Sequence, residues 1–500
     1  MSSPAAVPSP DVERARWRAF AVCMGAGFMT LLDVSIVNVA LPSIEASLGA
    51  GPSELQWIVA GYTLAFGLAL VPAGRLGDVL GRRGAFVAGL VGFVVFSAAC
   101  GLAKSAEMLA VMRLLQGLSA GVLNPQVIGL IQHLFHGHER GRAFGFYGAA
   151  IGISTATGPL LGGALIALFG ATEGWRSVFL VNVPIGAVLV PLALRYLPRA
   201  DGRRAGGRRA GGRRAGGLGI DVVGLALIAA SVVCVMLPFI VAAEGPDRTP
   251  WWLVPVGLAV VGLLVVWERW TERAGRSPVV PSSLVRTPSF SFGAVVGTAY
   301  FAGFTGIFLV STLYLQTGLG LTALQAGLVQ TPFALLGAVS AARSGHLVQR
   351  FGRWTVVAGI VVMAAGIVGV DVVVGSTDGT RAAVMMSAWL ALAGLGNGVV
   401  ISPNQTLTLA EVPVAQGGTA GGLLQTTQRI GASVGVAVIA SVFFTTRGRS
   451  PGGLAGGYGP ALSVGLRVTL GLLAVAFVVA LVDALRRRHE PVSPAGPPPA

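Results

Sequence analysis

Charge is what this 500-residue chain has least of: 11% of its residues are Asp, Glu, Lys or Arg, against about 25% in an ordinary soluble domain. Lysine is reduced to one residue, Lys104. A Walker-type phosphate loop needs a lysine after its glycines. The setting "LAKSAE" offers none, which argues against an ATP-driven pump. "GLGNG" at 394–398 is at most a faint dinucleotide fingerprint, and it lies inside an apolar run. Cysteine is scarce as well. Cys23, Cys100 and Cys234 sit in apolar segments, as small packed thiols do, and say nothing about redox compartment. Of five histidines, His133, His136 and His138 cluster in "HLFHGHER" with only Glu139 beside them, so no metal site is expected. No stretch is long and polar enough for a soluble signalling domain, and no cofactor is expected.

Apolar residues take the place of charge. Hydrophobic residues make up 54% of the chain and glycine accounts for 73 positions, a composition that suits close helix contact in lipid. A bilayer core of about 30 Å takes roughly 20 apolar residues per helix. Fourteen runs qualify: 19–41, 55–74, 84–103, 107–131, 142–168, 175–196, 219–243, 250–268, 290–314, 322–345, 354–375, 381–402, 418–445 and 461–485. The first is too long for a leader peptide, carries Asp33 and lacks a cleavage site of small residues, so it is expected to remain as a helix.

The net charge of +15 invites a nucleic-acid reading, but its distribution points to topology. With both tails placed in the cytoplasm, 26 of the 35 basic residues fall on that side, 6 fall outside, and Arg113, Arg429 and Arg467 lie within spans. That asymmetry is the positive-inside pattern. The expected organisation is a tail (1–18), six helices (19–196), an Arg/Gly-rich linker (197–218), two inserted helices (219–268), a second linker (269–289), six more helices (290–485) and a tail (486–500). Within the first linker, "GRRAGGRRAGGRRAGG" at 202–217 repeats a five-residue unit and suits a solvated tether.

Two short loops betray an internal repeat. "GRLGDVLGRRG" from Gly74 and "GHLVQRFGRWT" from Gly345 match at Gly74/Gly345, Leu76/Leu347, Gly81/Gly352 and Arg82/Arg353, each 271 positions apart, with Gln349 standing opposite Asp78. The two loops follow the second and tenth spans. Paired halves of this kind are expected of a secondary transporter that alternates access around a central site.

Asp33 in "TLLDVSIVNVALP" is the acid that stands out inside a span. A charge at mid-membrane costs at least about 2.5–3.5 kcal/mol on insertion scales, so such groups usually serve a pathway. Arg113 in the fourth span can lie at the same depth, so the pair is expected to meet directly or through Gln116, with Asp33 in a wet central crevice.

Taken in order, these segments resemble the major facilitator superfamily, most closely its fourteen-helix drug:H+ antiporter branch of the EmrB/QacA type. "LDVSIVNVALP" is similar to that branch's first-helix motif and "GRLGDVLGRRG" to the superfamily's loop motif. "RLLQGLSAG" from Arg113 is similar to the fourth-helix motif, and "GISTATGPLLGG" from Gly152 to the fifth-helix antiporter motif. "WRSVFLVNVPIG" from Trp175 resembles the branch's entry to the sixth helix.

The resemblance implies an all-α membrane protein of two six-helix bundles plus two inserted helices in the bacterial plasma membrane. It would be a monomer that exports small amphipathic compounds against protons. A symporter or uniporter of the same fold is the near alternative, and a membrane-embedded enzyme the distant one. Asp33 and Arg113 would couple protons. Gly74, Asp78, Gly81, Arg82 and Arg83 would latch the halves, with the glycines permitting a tight turn. Since Gln349 replaces an acid, any charge role there would belong to the first half alone. Gly152, Gly158, Pro159 and Gly162 would form a pliable hinge. Polar and aromatic residues in other spans (Asn38, Trp57, Tyr62, Gln116, Asn124, Tyr314, Asn397, Gln425 and Arg429) are candidates for the substrate cavity.

Overall fold

The computed structural model describes residues 10–135, 137–170, 172–198, 221–241, 249–276, 278–377, 379–449 and 457–486. The repeat at 202–217, the ends of both tails, His136 and the side chain of His138 lie outside the described residues.

The described chain is helical, with no strand among its residues. The first part comprises α1 (Pro10–Leu48), α2 (Pro52–Leu80), α3 (Arg82–Gly101), α4 (Ala106–Leu134), α5 (Gly137–Phe169), α6 (Trp175–Leu180) and α7 (Asn182–Tyr196). Two helices follow, α8 (Val222–Val241) and α9 (Leu253–Arg273). After the short α10 (Ser282–Arg286) come α11 (Pro288–Leu313), α12 (Ala323–Phe351), α13 (Trp354–Ser376), α14 (Gly379–Thr408), α15 (Gly417–Arg449) and α16 (Tyr458–Arg486). Twelve helical stretches, with α6 and α7 counted together, are long and apolar enough to cross a membrane. The 33-residue α5 and the 29-residue α12 occupy the fifth and tenth expected spans. Each of the fourteen runs read from the sequence therefore coincides with a helix.

Local chemistry sets several helix ends. Ser105 Oγ accepts the Met108 N–H at the start of α4. Thr322 and Gln325 form a reciprocal capping box at the start of α12. Gly81 (φ 110°) ends α2 and Gly352 (φ 53°) ends α12. An L side chain is strained in that region, so the matched glycines of the two loops share one physical cause.

The repeat also governs packing. A Cβ on Gly117 would lie 2.3 Å from the Tyr62 carbonyl oxygen and one on Gly121 2.5 Å from that of Phe66, so α4 rides directly on α2. In the second bundle Gly394 and Gly398 stand in the same relation to Phe333 and Gly337 of α12, at 2.1 Å and 2.1 Å. Tyr62 to Phe333 and Phe66 to Gly337 are each 271 positions, the offset of the loops. The "GLGNG" glycines thus serve helix contact. The repeat is structural as well as textual.

Two of the contacts that join the bundles are built on glycine. Gly145, Gly148 and Gly152 of α5 press on α12, with Ala341 O 2.7 Å from a Cβ on Gly145 and Ala334 O 3.0 Å from one on Gly152. Gly158 and Gly162 turn the other way, against Ser35 and Ile36 of α1. The antiporter-like motif therefore serves two interfaces, and the side chain of Pro159 lies outside the described residues. The second contact is between α2 and α15, where a Cβ on Gly74 would lie 2.3 Å from Gly418 O and one on Gly422 2.4 Å from Leu70 O. The apolar core of the first bundle runs on through Leu409, Val412, Ala420 and Leu424, which closes the arginine-rich end. The inserted α8 covers the α2–α15 seam through Ile228, Val232 and Met236 beside Val71, Leu423 and Ile430.

Overpacking a close helix contact costs about 1–3 kcal/mol. Gly117→Ala and Gly394→Ala should each lower the apparent melting temperature measured by size-exclusion thermostability. Gly84→Ala, where a Cβ meets nothing within 4 Å, should leave it unchanged.

Candidate functional site

Asp33 lies with no exposed surface, and Arg113 is 1% exposed. Arg113 Nη1 donates to Asp33 Oδ2 at 2.5 Å. Asp33 Oδ1 accepts from Gln116 Nε2 at 2.9 Å and from Asn182 Nδ2 at 3.0 Å. Three donors converge on a group that, when ionised, only accepts. The guanidinium has further partners. Nε donates to Ile58 O at 3.1 Å and Nη1 to Gln116 Oε1 at 2.8 Å. Its carbon sits 4.1 Å from the Tyr62 ring centre and 5.7 Å from that of Phe179, within cation–π range. Ser97 closes the network. It accepts from Gln116 and Asn182 and donates to Phe179 O.

The pairing expected from depth is present, but its surroundings differ from expectation. Asp33 is enclosed inside the first bundle among α1, α4 and α7, and no wet crevice surrounds it. It shares a face of α1 with Met29, Ile36 and Ala40, all buried. Sequence fixes its depth but not which neighbour that face meets. Ser97 and Asn182 were missed. Asn182, a polar residue inside the apolar "FLVNVPIG", was the available signal.

A polar chain leads from the pair to the seam between bundles. Tyr62 OH donates to Thr30 O at 3.4 Å, and Asn124 Nδ2 donates to Thr30 Oγ1 at 3.2 Å. Tyr147 OH donates to Asn124 Oδ1 at 3.4 Å, and Gln425 Nε2 of the second bundle donates to Tyr147 OH at 3.3 Å. Tyr62, Gln116, Asn124 and Gln425 thus belong to one connected system.

The other cavity candidates scatter. Asn38 is exposed and bonds its own helix at Val34 O. Trp57 is 37% exposed. Tyr314 is buried in the second core. Asn397 is buried and accepts from Tyr300 OH at 2.7 Å.

The second bundle has no acid at the place of Asp33. Gly141 and Gly158 correspond to Gly418 and Gly435, 277 positions on. Gly158 abuts Ser35 and Gly435 abuts Ala302. Two residues before each lie Asp33 and Tyr300. Other acids do sit within apolar spans, which corrects the picture of Asp33 as nearly alone. Asp371 pairs with Arg467 at 3.3 Å and Asp483 pairs with Arg353. Arg353 is the repeat partner of Arg82, so the second half keeps a charge pair although Gln349 lacks the acid. Asp483, from the last helix, supplies it.

At the arginine-rich end Asp78 caps α15. Its Oδ1 accepts Gly418 N–H at 3.1 Å, and its Oδ2 accepts Thr419 N–H at 2.8 Å and Thr419 Oγ1 at 3.0 Å. An acid at a helix N-terminus also gains from the helix dipole. Arg82 Nη2 holds Asp78 at 2.9 Å and reaches Val414 O at 2.5 Å, while Nη1 donates to Gly129 O. Arg83 donates to Leu194 O. Gly81 alone of the loop glycines has a positive φ. Gly74 and Gly77 instead admit α15 and Gln126, which corrects the expectation that all three serve the turn. Arg140, at the start of α5, donates to Ala410 O of the other bundle at 3.4 Å. Its burial lowers the guanidinium's proton affinity below the usual value.

Two repeated helical bundles, closed at one end and carrying a buried ion pair, define a membrane transporter rather than an enzyme. The chain belongs to the Major Facilitator Superfamily, whose model matches residues 23–436. It is 38% identical over 447 residues to the probable actinorhodin transporter of Streptomyces coelicolor, covering 88% of this chain and 74% of that protein. It is 32% identical over 513 residues to the puromycin resistance protein pur8 of Streptomyces alboniger, covering 99% and 97%. Among solved structures it is similar to the human organic anion transporter MFSD10, with a TM-score of 0.66, 16% identity, and 93% of this chain and 99% of that one covered. At that identity the likeness concerns the fold alone.

Removing one member of a buried ion pair costs about 3–5 kcal/mol because the other is left uncompensated. Arg113→Met should therefore destabilise the protein strongly, and Asp33→Leu combined with Arg113→Met should recover most of the loss in a thermal-shift double-mutant cycle. At the latch, Asp78→Asn should accelerate amide exchange in the first turn of α15 at least about tenfold, since charged acceptors there contribute roughly 1.5–3 kcal/mol. Hydrogen-exchange mass spectrometry on the peptide containing Gly418 and Thr419 reads this directly.

Proposed function

We propose that the chain is a drug:H+ antiporter of the fourteen-helix branch. It crosses the plasma membrane of a bacterium fourteen times as a monomer, with both termini in the cytoplasm, and exports small amphipathic compounds. The names of its relatives, an antibiotic transporter and an antibiotic resistance protein, support drug efflux. The excess of arginine at the closed end supports the orientation, with the Asp78 latch on the cytoplasmic side.

The observation that carries the coupling is that the buried Asp33–Arg113 pair is tied to the seam. Through Tyr62, Thr30, Asn124, Tyr147 and Gln425, a movement of the second bundle reaches the ring that covers Arg113. Protonation of Asp33 would turn one acceptor into a donor among three donors, so a proton can enter only when that shell rearranges. Arg113 would not be stranded, because Ile58 O, Gln116 Oε1 and two aromatic rings remain. Rocking of the bundles then exchanges proton for substrate, with the Asp78 latch broken in the inward-facing state and the glycines of α5 serving as the pliable contact. No cofactor enters this cycle.

The test is proton release from everted vesicles under an imposed pH gradient, on addition of a panel of amphipathic antibiotics and dyes. Wild type should release protons with at least one compound, and Asp33→Asn should abolish that release while compound binding persists. Release that survives Asp33→Asn would overturn the coupling assignment. Compound movement in the same direction as protons would favour the symporter.

A further inference from the structure

A second intramembrane cation lacks what Arg113 has. Arg429 lies twelve residues into α15, roughly 18 Å along the helix, and is partly exposed. Among the described residues it meets no carboxylate and no hydrogen-bond acceptor. Its guanidinium lies over the Phe66 ring, 4.6 Å from the centre. Gln425, one turn earlier, reaches across the seam to Tyr147. The helix face carrying both residues thus borders the space between the bundles. The other electrostatic neighbours of Arg429 are the Tyr62 and Tyr147 hydroxyls, which bring no negative charge. A desolvated cation without a counter-ion is costly, and a small-molecule anion in that space would relieve the cost.

The neighbouring wall is aromatic. Helix α11 packs on α16 at Gly303, where a Cβ would lie 3.2 Å from Thr469 O. A different flank lies between α14, which meets α11 at Tyr300 and Gly293, and α15, which meets it at Thr298 and Ala302. This flank carries Phe301, Phe304, Thr305 and Phe308, all partly exposed. Tyr300, Phe304 and Phe333 form a stack with centres 5.9 Å and 5.9 Å apart and ring planes within 13° and 16°. Phe301 and Phe308 stand edge-on to Phe304. Phe333 precedes Ala334, which touches Gly152 of the first bundle, so the stack ends at the seam.

The heights agree. Thr298 abuts Gly431, and both helices leave the arginine-rich end. Phe301 and Phe304 therefore begin roughly 8 Å and 12 Å beyond Arg429 at 1.5 Å per residue.

We infer that the substrate site takes a flat, fused-ring aromatic anion, its acid group on Arg429 and its rings against Phe301, Phe304 and Phe308. This deepens the export reading and rests on it for the word substrate. Phe304 lies mid-stack and offers its edge, while the partly exposed Phe301 and Phe308 offer ring surface to a planar body, and a carboxylate or ionised phenol would complete the unpaired guanidinium. A cationic compound of the same shape would meet like charge.

The test is equilibrium binding to the purified full-length chain in detergent, using three fluorescent probes of one shape: anthracene-2-carboxylate, anthracene-2-carboxamide and 2-(aminomethyl)anthracene. Wild type should bind the carboxylate at least about tenfold more tightly than the carboxamide, and the amine most weakly. Arg429→Gln should remove the preference by weakening the carboxylate alone, and Arg429→Lys should retain part of it. Phe304→Leu should weaken carboxylate and carboxamide alike, by about fivefold. Equal affinities for acid and amide, preference for the amine, or no saturable binding of the carboxylate would overturn the proposal. The wild-type comparison decides it even if Arg429→Gln does not fold. Because the measurement needs no gradient, a chain that binds the acid but moves nothing in vesicles would sink the export reading alone. Proton-coupled movement of other compounds without acid binding would sink this one alone.

Discussion

The ion pair between Asp33 and Arg113 is the constraint around which the first bundle is arranged. A carboxylate stripped of water demands donors on all sides, and it finds them on α4 and α7. To bring α4 close enough, α2 must lie almost in backbone contact with it, and the glycines at 117 and 121 make room. Ile58 of α2 then offers its carbonyl to the guanidinium, and Tyr62 of the same helix covers it. Ser97 of α3 ties Gln116 and Asn182 together from behind. Five helices are thus fixed by one charge and its shell.

The two bundles share a frame and differ in chemistry. The tight contact of α4 on α2 reappears in α14 on α12, residue for residue along the repeat offset. At the position of Asp33 the second bundle carries Tyr300, bonded to Asn397 and close to Met363. A neutral pair needs no desolvated counter-charge and can stay as it is through a conformational cycle. The Asp33 carboxylate and its shell of donors therefore have no counterpart at the matching place in the second bundle, which carries the aromatic stack and Arg429 instead. Duplicated frames let one copy specialise in this way because the packing glycines are common to both bundles, while the charged shell belongs to the first.

Much of this was legible in the amino-acid order. Hydropathy located every long helix, since each run of about 20 apolar residues has one plausible fate in a bilayer, and left only the short α10 inside the expected linker. The 271-residue offset of the two loops matched Gly81 with Gly352, which share a positive φ, but did not point to the glycine contacts, whose α4 and α14 members are 277 positions apart. The depth of Asp33 and Arg113 along their helices anticipated their meeting. What the order of residues could not convey was rotation. Asp33 faces inward within its own bundle, and Tyr62 and Tyr314 turn into cores, because the angular setting of a helix depends on neighbours distant in the chain. The Arg353–Asp483 pair was hidden for the same reason: its partners are 130 residues apart, and no local motif joins them. Phe301, Phe304 and Phe308 looked like ordinary apolar span residues until α14 and α15 were seen to flank them.

The inserted α8 straddles α2 and α15, its Met236 sulfur 3.2 Å from where a Cβ on Gly67 would be. It touches both bundles along the seam that must part when the inner mouth opens. One side of α8 must then lose its partner, and acyl chains from the surrounding leaflet would have to flow into the vacated groove. In the proposed exchange cycle, turnover would thereby acquire a dependence on how readily the local lipids fill a transient fissure, so membrane fluidity would help to set its pace.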